Sequence, residues 1–193
     1  MKFRPVILAA AAALCLAGGA QAALVTFNNP GVIEVAPNFV ATYTESGYKI
    51  QGQAADFLLL DNGAGNGFLV GGFAGALPIT LMASAGGIFS LLSLDFAYYN
   101  LGDPAGSLTI SGMLNDTQVA TGIFTLGAPE SITFGANWAQ LTQVSFLATS
   151  GFSLDNLRVA AVAEPGTLAL VGLAAAGLAF TRRRAGGATP ARA

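Results

Sequence analysis

From Leu77 to Val159 the apolar side chains keep returning at every second residue, and that period decides what this stretch can become. Leu77, Ile79 and Leu81 share one parity against Pro78, Thr80 and Met82. Leu108, Ile110 and Leu114 stand against Ser107, Thr109 and Ser111, and Val144 and Phe146 against Ser145 and Leu147. Successive side chains of a strand point to opposite faces, so each run reads as a strand with one face on a core. Asn28-Asn29-Pro30-Gly31, Asp61-Asn62-Gly63, Gly86-Gly87, Gly102-Asp103-Pro104 and Asn115-Asp116 separate the runs with turn-forming residues. No amphipathic helix of useful length lies between them, so the crossovers of a parallel sheet have no source. The expected fold is all-β, an antiparallel β-sandwich of jelly-roll type.

The period slips twice. Phe89 and Leu91 lie on one parity, Leu92, Leu94 and Phe96 on the other. Phe152 and Leu154 are likewise followed by Leu157 and Val159 across Asp155-Asn156. One inserted residue at each place, a β-bulge, would let both halves face the core.

The two ends of the chain differ from this middle. Lys2 and Arg4 precede an apolar run from Val6 to Ala17, and Ala20-Gln21-Ala22 follows. Positive charge, short apolar core and Ala-x-Ala in that order are the anatomy of a secretory signal peptide. Residues 1–22 are therefore expected to form a signal helix that is removed, leaving a passenger over 23–162. Cys15 follows Leu14, where a lipobox requires a small residue, so lipidation is rejected. At the other end, Ala163-Glu164-Pro165-Gly166-Thr167 leads into an uncharged stretch from Leu168 to Phe180, and Arg182, Arg183 and Arg184 follow. From Pro165 to Thr181 a helix would span ~25 Å at ~1.5 Å per residue, slightly short of the hydrocarbon core. Arginines beyond such a helix stay cytoplasmic, which puts the passenger on the far side, as the signal peptide does. The expected tail is a sorting segment over 163–184 with a single transmembrane helix at 167–181. A disordered end follows over 185–193.

This tail resembles the PEP-CTERM sorting signal of Gram-negative bacteria, also labelled an ice-binding protein C-terminal domain, a label without meaning for ice. Glu164-Pro165 matches the Pro-Glu-Pro box, with Ala163 in place of the first proline, and the arginine run closes it. The resemblance implies exosortase, a membrane cysteine transpeptidase, as partner, Glu164 and Pro165 as its recognition motif, and Arg182 to Arg184 as the membrane stop. The middle resembles the passengers that accompany this tail, through Val25-Thr26-Phe27, Ser46-Gly47-Tyr48, the run Phe89 to Asp95 and Phe152 to Val159. That resemblance implies a galactose-binding-like jelly roll.

Composition closes several doors. Residues 24–163 hold Lys49 and Arg158 against nine carboxylates, a net charge of −7. Such a body has no footprint for a phosphate backbone, which excludes nucleic acid. There is no histidine, and the one cysteine lies in the signal segment. Most metal-hydrolase, Ser-His-Asp and Cys-His chemistry is thereby removed, and no disulfide can form in the passenger.

The remaining constellations are few. Asp61 to Gly67 is rich in oxygen and glycine but lacks EF-hand spacing, and reads as a hairpin loop. Asp155 and Asn156 offer hard oxygen donors for a structural Ca²⁺, or alternatively satisfy backbone N–H groups at the bulge. Trp138, Tyr43, Tyr48, Tyr98 and Tyr99 are either core or a sugar-stacking platform, and alternation sends Tyr98 and Tyr99 to opposite faces. Lys49 lacks a Ser-x-x-Lys context and Gly-x-Ser-x-Gly is absent. No catalytic residue is assigned, and paired carboxylates are the only chemistry left to a glycosidase. The expectation is a non-catalytic exported cell-surface or extracellular-matrix protein without a required cofactor. The alternative is a carbohydrate-binding module acting on exopolysaccharide.

Overall fold

Thirteen strands account for the ordered body, in a computed structural model that describes residues 22–28, 33–61, 65–72, 77–99 and 104–162. The signal segment before Ala22, Glu164 and Pro165 of the box, the proposed membrane helix, the arginine run and the tail lie outside the described residues. Among the described residues no helix is long and apolar enough to cross a membrane, and the only helical pieces are two 3₁₀ turns, Ala54–Asp56 and Ala136–Trp138.

In chain order the strands are β1 (Ala22–Val25), β2 (Glu34–Val35), β3 (Val40–Glu45), β4 (Tyr48–Gln53), β5 (Phe57–Asp61), β6 (Gly67–Gly71) and β7 (Ile79–Ala83). They continue as β8 (Phe89–Tyr98), β9 (Ser107–Leu114), β10 (Thr117–Thr125), β11 (Glu130–Thr133), β12 (Gln143–Ala148) and β13 (Phe152–Ala161). One sheet has six strands in the order β11-β8-β13-β6-β5, with β1 alongside β13. The other has seven, β10-β9-β12-β7-β4-β3-β2, and all the pairings are antiparallel. The chain crosses repeatedly between the sheets, giving the antiparallel, jelly-roll-like sandwich that the period-two pattern predicts.

The inward parity fills the core. Ile79, Leu81, Leu108, Ile110, Val144 and Phe146 come from the seven-stranded sheet and Leu94, Phe96, Leu154 and Leu157 from the other, all buried. Each such side chain contributes about 1.5–3 kcal/mol by leaving water. Tyr43, Tyr48 and Trp138 are buried with them, so three of the five aromatic candidates are core residues.

Tight turns follow the sequence signals. Asn115 and Asp116 both take positive φ, 47° and 64°, between β9 and β10, and Ser46 and Gly47 do so between β3 and β4. That is the two-residue hairpin whose twist suits antiparallel strands.

The two sheets have different outer surfaces. On the seven-stranded sheet Thr42, Gln51, Thr80, Ser145, Ser111 and Thr121 stand in one register row across six strands. At ~4.8 Å between strands this makes an even band of hydroxyl and amide groups. The six-stranded sheet is interrupted. Its two longest strands, β8 and β13, pair directly, and the register shifts between Asp155 and Arg158 and again between Arg158 and Val159. Phe89 and Leu91 are buried, then Leu94 and Phe96; Phe152 and Leu154, then Leu157 and Val159. Both expected bulges are present, one on each strand, and they follow one another along the same ladder.

Candidate functional site

The site grows from this double bulge. Asn156 occupies the inserted position with φ 49°, a left-handed backbone that asparagine tolerates better than most residues. Its backbone N–H donates to Asp155 Oδ1 at 2.7 Å and its Nδ2 donates to Asp95 Oδ2 at 2.8 Å. Asp95 stands directly opposite Asp155 across the β8–β13 pair, and its Oδ1 accepts from the Ser131 hydroxyl of β11. Two carboxylates are thus held side by side on the outer face, one of them fixed on both oxygens.

Burial raises the pKa of Asp155 above the ordinary carboxylate value, and the negative charges of Asp95 and Glu45 add to the rise; the Asn156 N–H opposes them. Glu45 has its own task. One oxygen accepts from the backbone N–H groups of Thr26 and Phe27 at 2.9 and 3.0 Å and from the Tyr43 hydroxyl at 3.1 Å. The other accepts from the Thr26 hydroxyl at 3.0 Å. This carboxylate therefore ties the segment after β1 to β3 of the opposite sheet. Burial first, then the Glu45 charge and hydrogen bond, holds the Tyr43 phenol protonated far beyond its usual range.

Around the carboxylates the outer face opens into two hollows. One, of about 340 Å³, is lined by Asn66, Phe68, Asp95, Tyr99, Ser153 and Asp155, among others. The other, of about 310 Å³, meets it at Asp95 and runs past Leu24, Ser131, Asn156 and Arg158. Phe68 and Tyr99 form the aromatic wall of the first, with ring centroids 6.2 Å apart. Tyr98 packs against the core instead, as alternation requires. Phe68 is the residue that sequence reasoning missed; its parity, opposite to buried Leu69, was the available signal.

Asp155 and Asn156 lie side by side at the bulge, where Asp155 accepts from the Asn156 backbone N–H. Among the described residues no group of three or more Asp, Glu, His or Cys side chains could hold a metal ion. Asp61 pairs with Gly67 at the end of the β5–β6 ladder.

No curated protein matches the chain. Solved structures of family 29 carbohydrate-binding modules are similar in layout. A point mutant made to probe ligand recognition is 12% identical over 74% of this chain and 92% of its own, with a TM-score of 0.44. A module from Piromyces equi is 11% identical over 75% and 92%, TM-score 0.43, and a further family 29 module 13% over 74% and 89%, TM-score 0.44. Likeness at this level assigns no ligand. The tail is more specific: residues 161–184 match the PEP-CTERM protein-sorting motif, beginning on the last residue of β13.

Proposed function

We propose that this is a non-catalytic exported protein of the cell surface or extracellular matrix, delivered by its tail. The match over residues 161–184 carries this reading. In it, residues 1–22 are a signal peptide, Glu164 and Pro165 are the motif read by an exosortase-type membrane protease, 167–181 is the membrane helix, and Arg182, Arg183 and Arg184 stop transfer. Proline at the box lacks a backbone N–H and disfavours helix in the residue before it, which favours an extended backbone for a protease. The folded body reaches almost to the box, since the Val162 N–H still donates to the Ile88 carbonyl at 2.9 Å. In a host with exosortase, Glu164→Ala with Pro165→Ala should accumulate a larger, membrane-retained species. If that variant matures and localises as wild type does, the tail is a plain anchor.

The aromatic wall beside two carboxylates favours a second reading, a carbohydrate-binding module for exopolysaccharide. Aromatic faces cover the apolar faces of sugars, and carboxylates accept hydrogen bonds from their hydroxyls. Asp95 is engaged on both oxygens by Ser131 and Asn156, which suits holding a ligand better than attacking one. Affinity electrophoresis of the mature protein in gels of neutral polysaccharides tests this. Phe68→Ala and Tyr99→Ala should abolish any retardation while Thr80→Ala preserves it. Equal retardation of all three would remove the site.

A further inference from the structure

A sandwich has sheet edges, and those of this one are unequally guarded. The two-residue β2 carries Glu34, the four-residue β11 carries Glu130, and β5 ends on Asp61. By contrast β10 runs nine residues, Thr117–Thr125, without a charge or a proline, and pairs only with β9. Charges, prolines and shortness are how proteins keep edges from pairing with other chains; the only such device on β10 is a register shift between Gln118 and Ala120. From Ala120 to Thr125 its register with β9 is regular.

That regular segment has the pattern of a self-complementary strand. Thr121, Ile123 and Thr125 point outward and are exposed, and Ile123, at 74%, is the most exposed large apolar residue among those described. Phe124 turns inward, its ring 5.8 Å from that of Phe96, and lies across Gly122, where a Cβ would stand 2.8 Å from it. About Ile123 the sequence reads Thr-x-Ile-x-Thr in both directions. Two antiparallel copies centred there would set Ile123 against Ile123, Thr121 against Thr125, and small Gly122 opposite Phe124. The charge balance points the same way. The passenger carries a net charge of −7, so most faces of two copies repel, yet this edge brings no like charges together.

We propose that β10 pairs with β10 of a second copy of this chain, antiparallel and centred on Ile123, joining two seven-stranded sheets into one continuous sheet. The backbone ladder supplies the attraction and the Thr-Ile-Thr stripe fixes the register. Copies tethered to one surface raise each other's effective concentration, so a short ladder suffices.

Cysteine crosslinking of the full chain in cells tests the register, with Cys15→Ser removing the native thiol. Directly opposed residues have Cα atoms ~4.5–5.5 Å apart, within disulfide range, so Ile123→Cys should give a covalent dimer under mild oxidation. Thr121→Cys alone should not, because each copy would then be displaced ~13 Å from its mate. Thr121→Cys with Thr125→Cys should crosslink again. Adding Ile123→Lys to that pair should cut the yield at least about tenfold by opposing like charges. Co-expressing I123K and I123D copies should restore it. A dimer from Thr121→Cys as abundant as from Ile123→Cys, or no dimer from Ile123→Cys, overturns the proposal. A crosslink from Ile123→Cys to a protein of another mass overturns it in favour of a foreign strand.

Discussion

The outer surfaces of the two sheets are built from the same kinds of strand and come out opposite in character. On the seven-stranded sheet the register holds across the row from Thr42 to Thr121, and the surface is an even polar band. On the six-stranded sheet the register breaks twice where β8 meets β13, and there two carboxylates, an aromatic wall and both hollows gather. A regular pleat spaces side chains equally, and the hollow on that side, of about 250 Å³, is walled by Val40, Gln53, Leu77 and Pro78 beside Gln51 and Thr80. An inserted residue re-aims its neighbours and unpairs the ladder locally. On the six-stranded sheet the relief sits at the irregularity, and irregularity has to be held in place by buried residues beneath it.

That dependence can be broken from below. Leu154 is fully buried in β13, opposite Phe96 of β8 and Leu69 of β6, just before the bulge. Leu154→Ala should cost about 2–5 kcal/mol by lost transfer energy and a residual cavity. Ser145→Ala, on the regular band, should stay within about 0.5 kcal/mol. Paired denaturant titrations measure both; a Leu154→Ala loss under about 1 kcal/mol would mean that the sheet beneath the bulge collapses freely.

The bulge itself offers a smaller lever. Asn156→Val puts a β-branched residue at a φ of 49° and removes the hydrogen bond to Asp95. Asn156→Gly removes the same bond without backbone strain. The valine variant should be less stable than the glycine variant by about 1–2 kcal/mol, the cost of a left-handed backbone with a Cβ. Equal stabilities would show that the bulge relaxes to an ordinary backbone.

The mildest change sharpens the comparison electrostatically. The folded protein holds the Asp155 pKa above its unfolded value, through burial first and then Asp95 and Glu45. An acid shifted upward is a liability when ionised: above both pKa values it subtracts stability, and as pH falls through the raised value that penalty is relieved. Asp155→Asn keeps a carbonyl oxygen for the Asn156 N–H and removes the charge. It should therefore melt higher than wild type by about 1–3 °C at pH 7, with the gap closing toward pH 4. A gap that widens on acidification contradicts the assignment.

How much of this could be read beforehand follows from the range of each signal. Parity is local, so the inward residues of β7, β9 and β12, the opposite facing of Tyr98 and Tyr99, and both phase slips were legible along the chain. That the slips fall in one ladder was not, because the register of β8 against β13 joins residues some sixty positions apart. The same limit hid the Glu45 clamp, whose donors Thr26 and Phe27 lie 19 and 18 residues away, just after β1 of the other sheet. Phe68 escaped because Phe68-Leu69-Val70 is an unbroken apolar run, in which its parity against Leu69 shows only once Leu69 is known to be buried. Trp138, Tyr43 and Tyr48 carry polar atoms that suit either a surface or a core, and only the packing decides for the core.

The pairing of β1 with β13 bears on how the chain can reach this state. Ala23 faces Val159, so the first strand waits for the last. While the chain emerges in order, every other strand can find a neighbour earlier, and this ladder alone must join the two extremes of the body. Bringing such distant ends together carries the largest loop-closure entropy in the sandwich, although that cost grows only slowly with separation. Contacts of this range make for slow folding. Until the final residues of β13 have followed the rest, β1 has no ladder to join and the six-stranded sheet stays open at its centre.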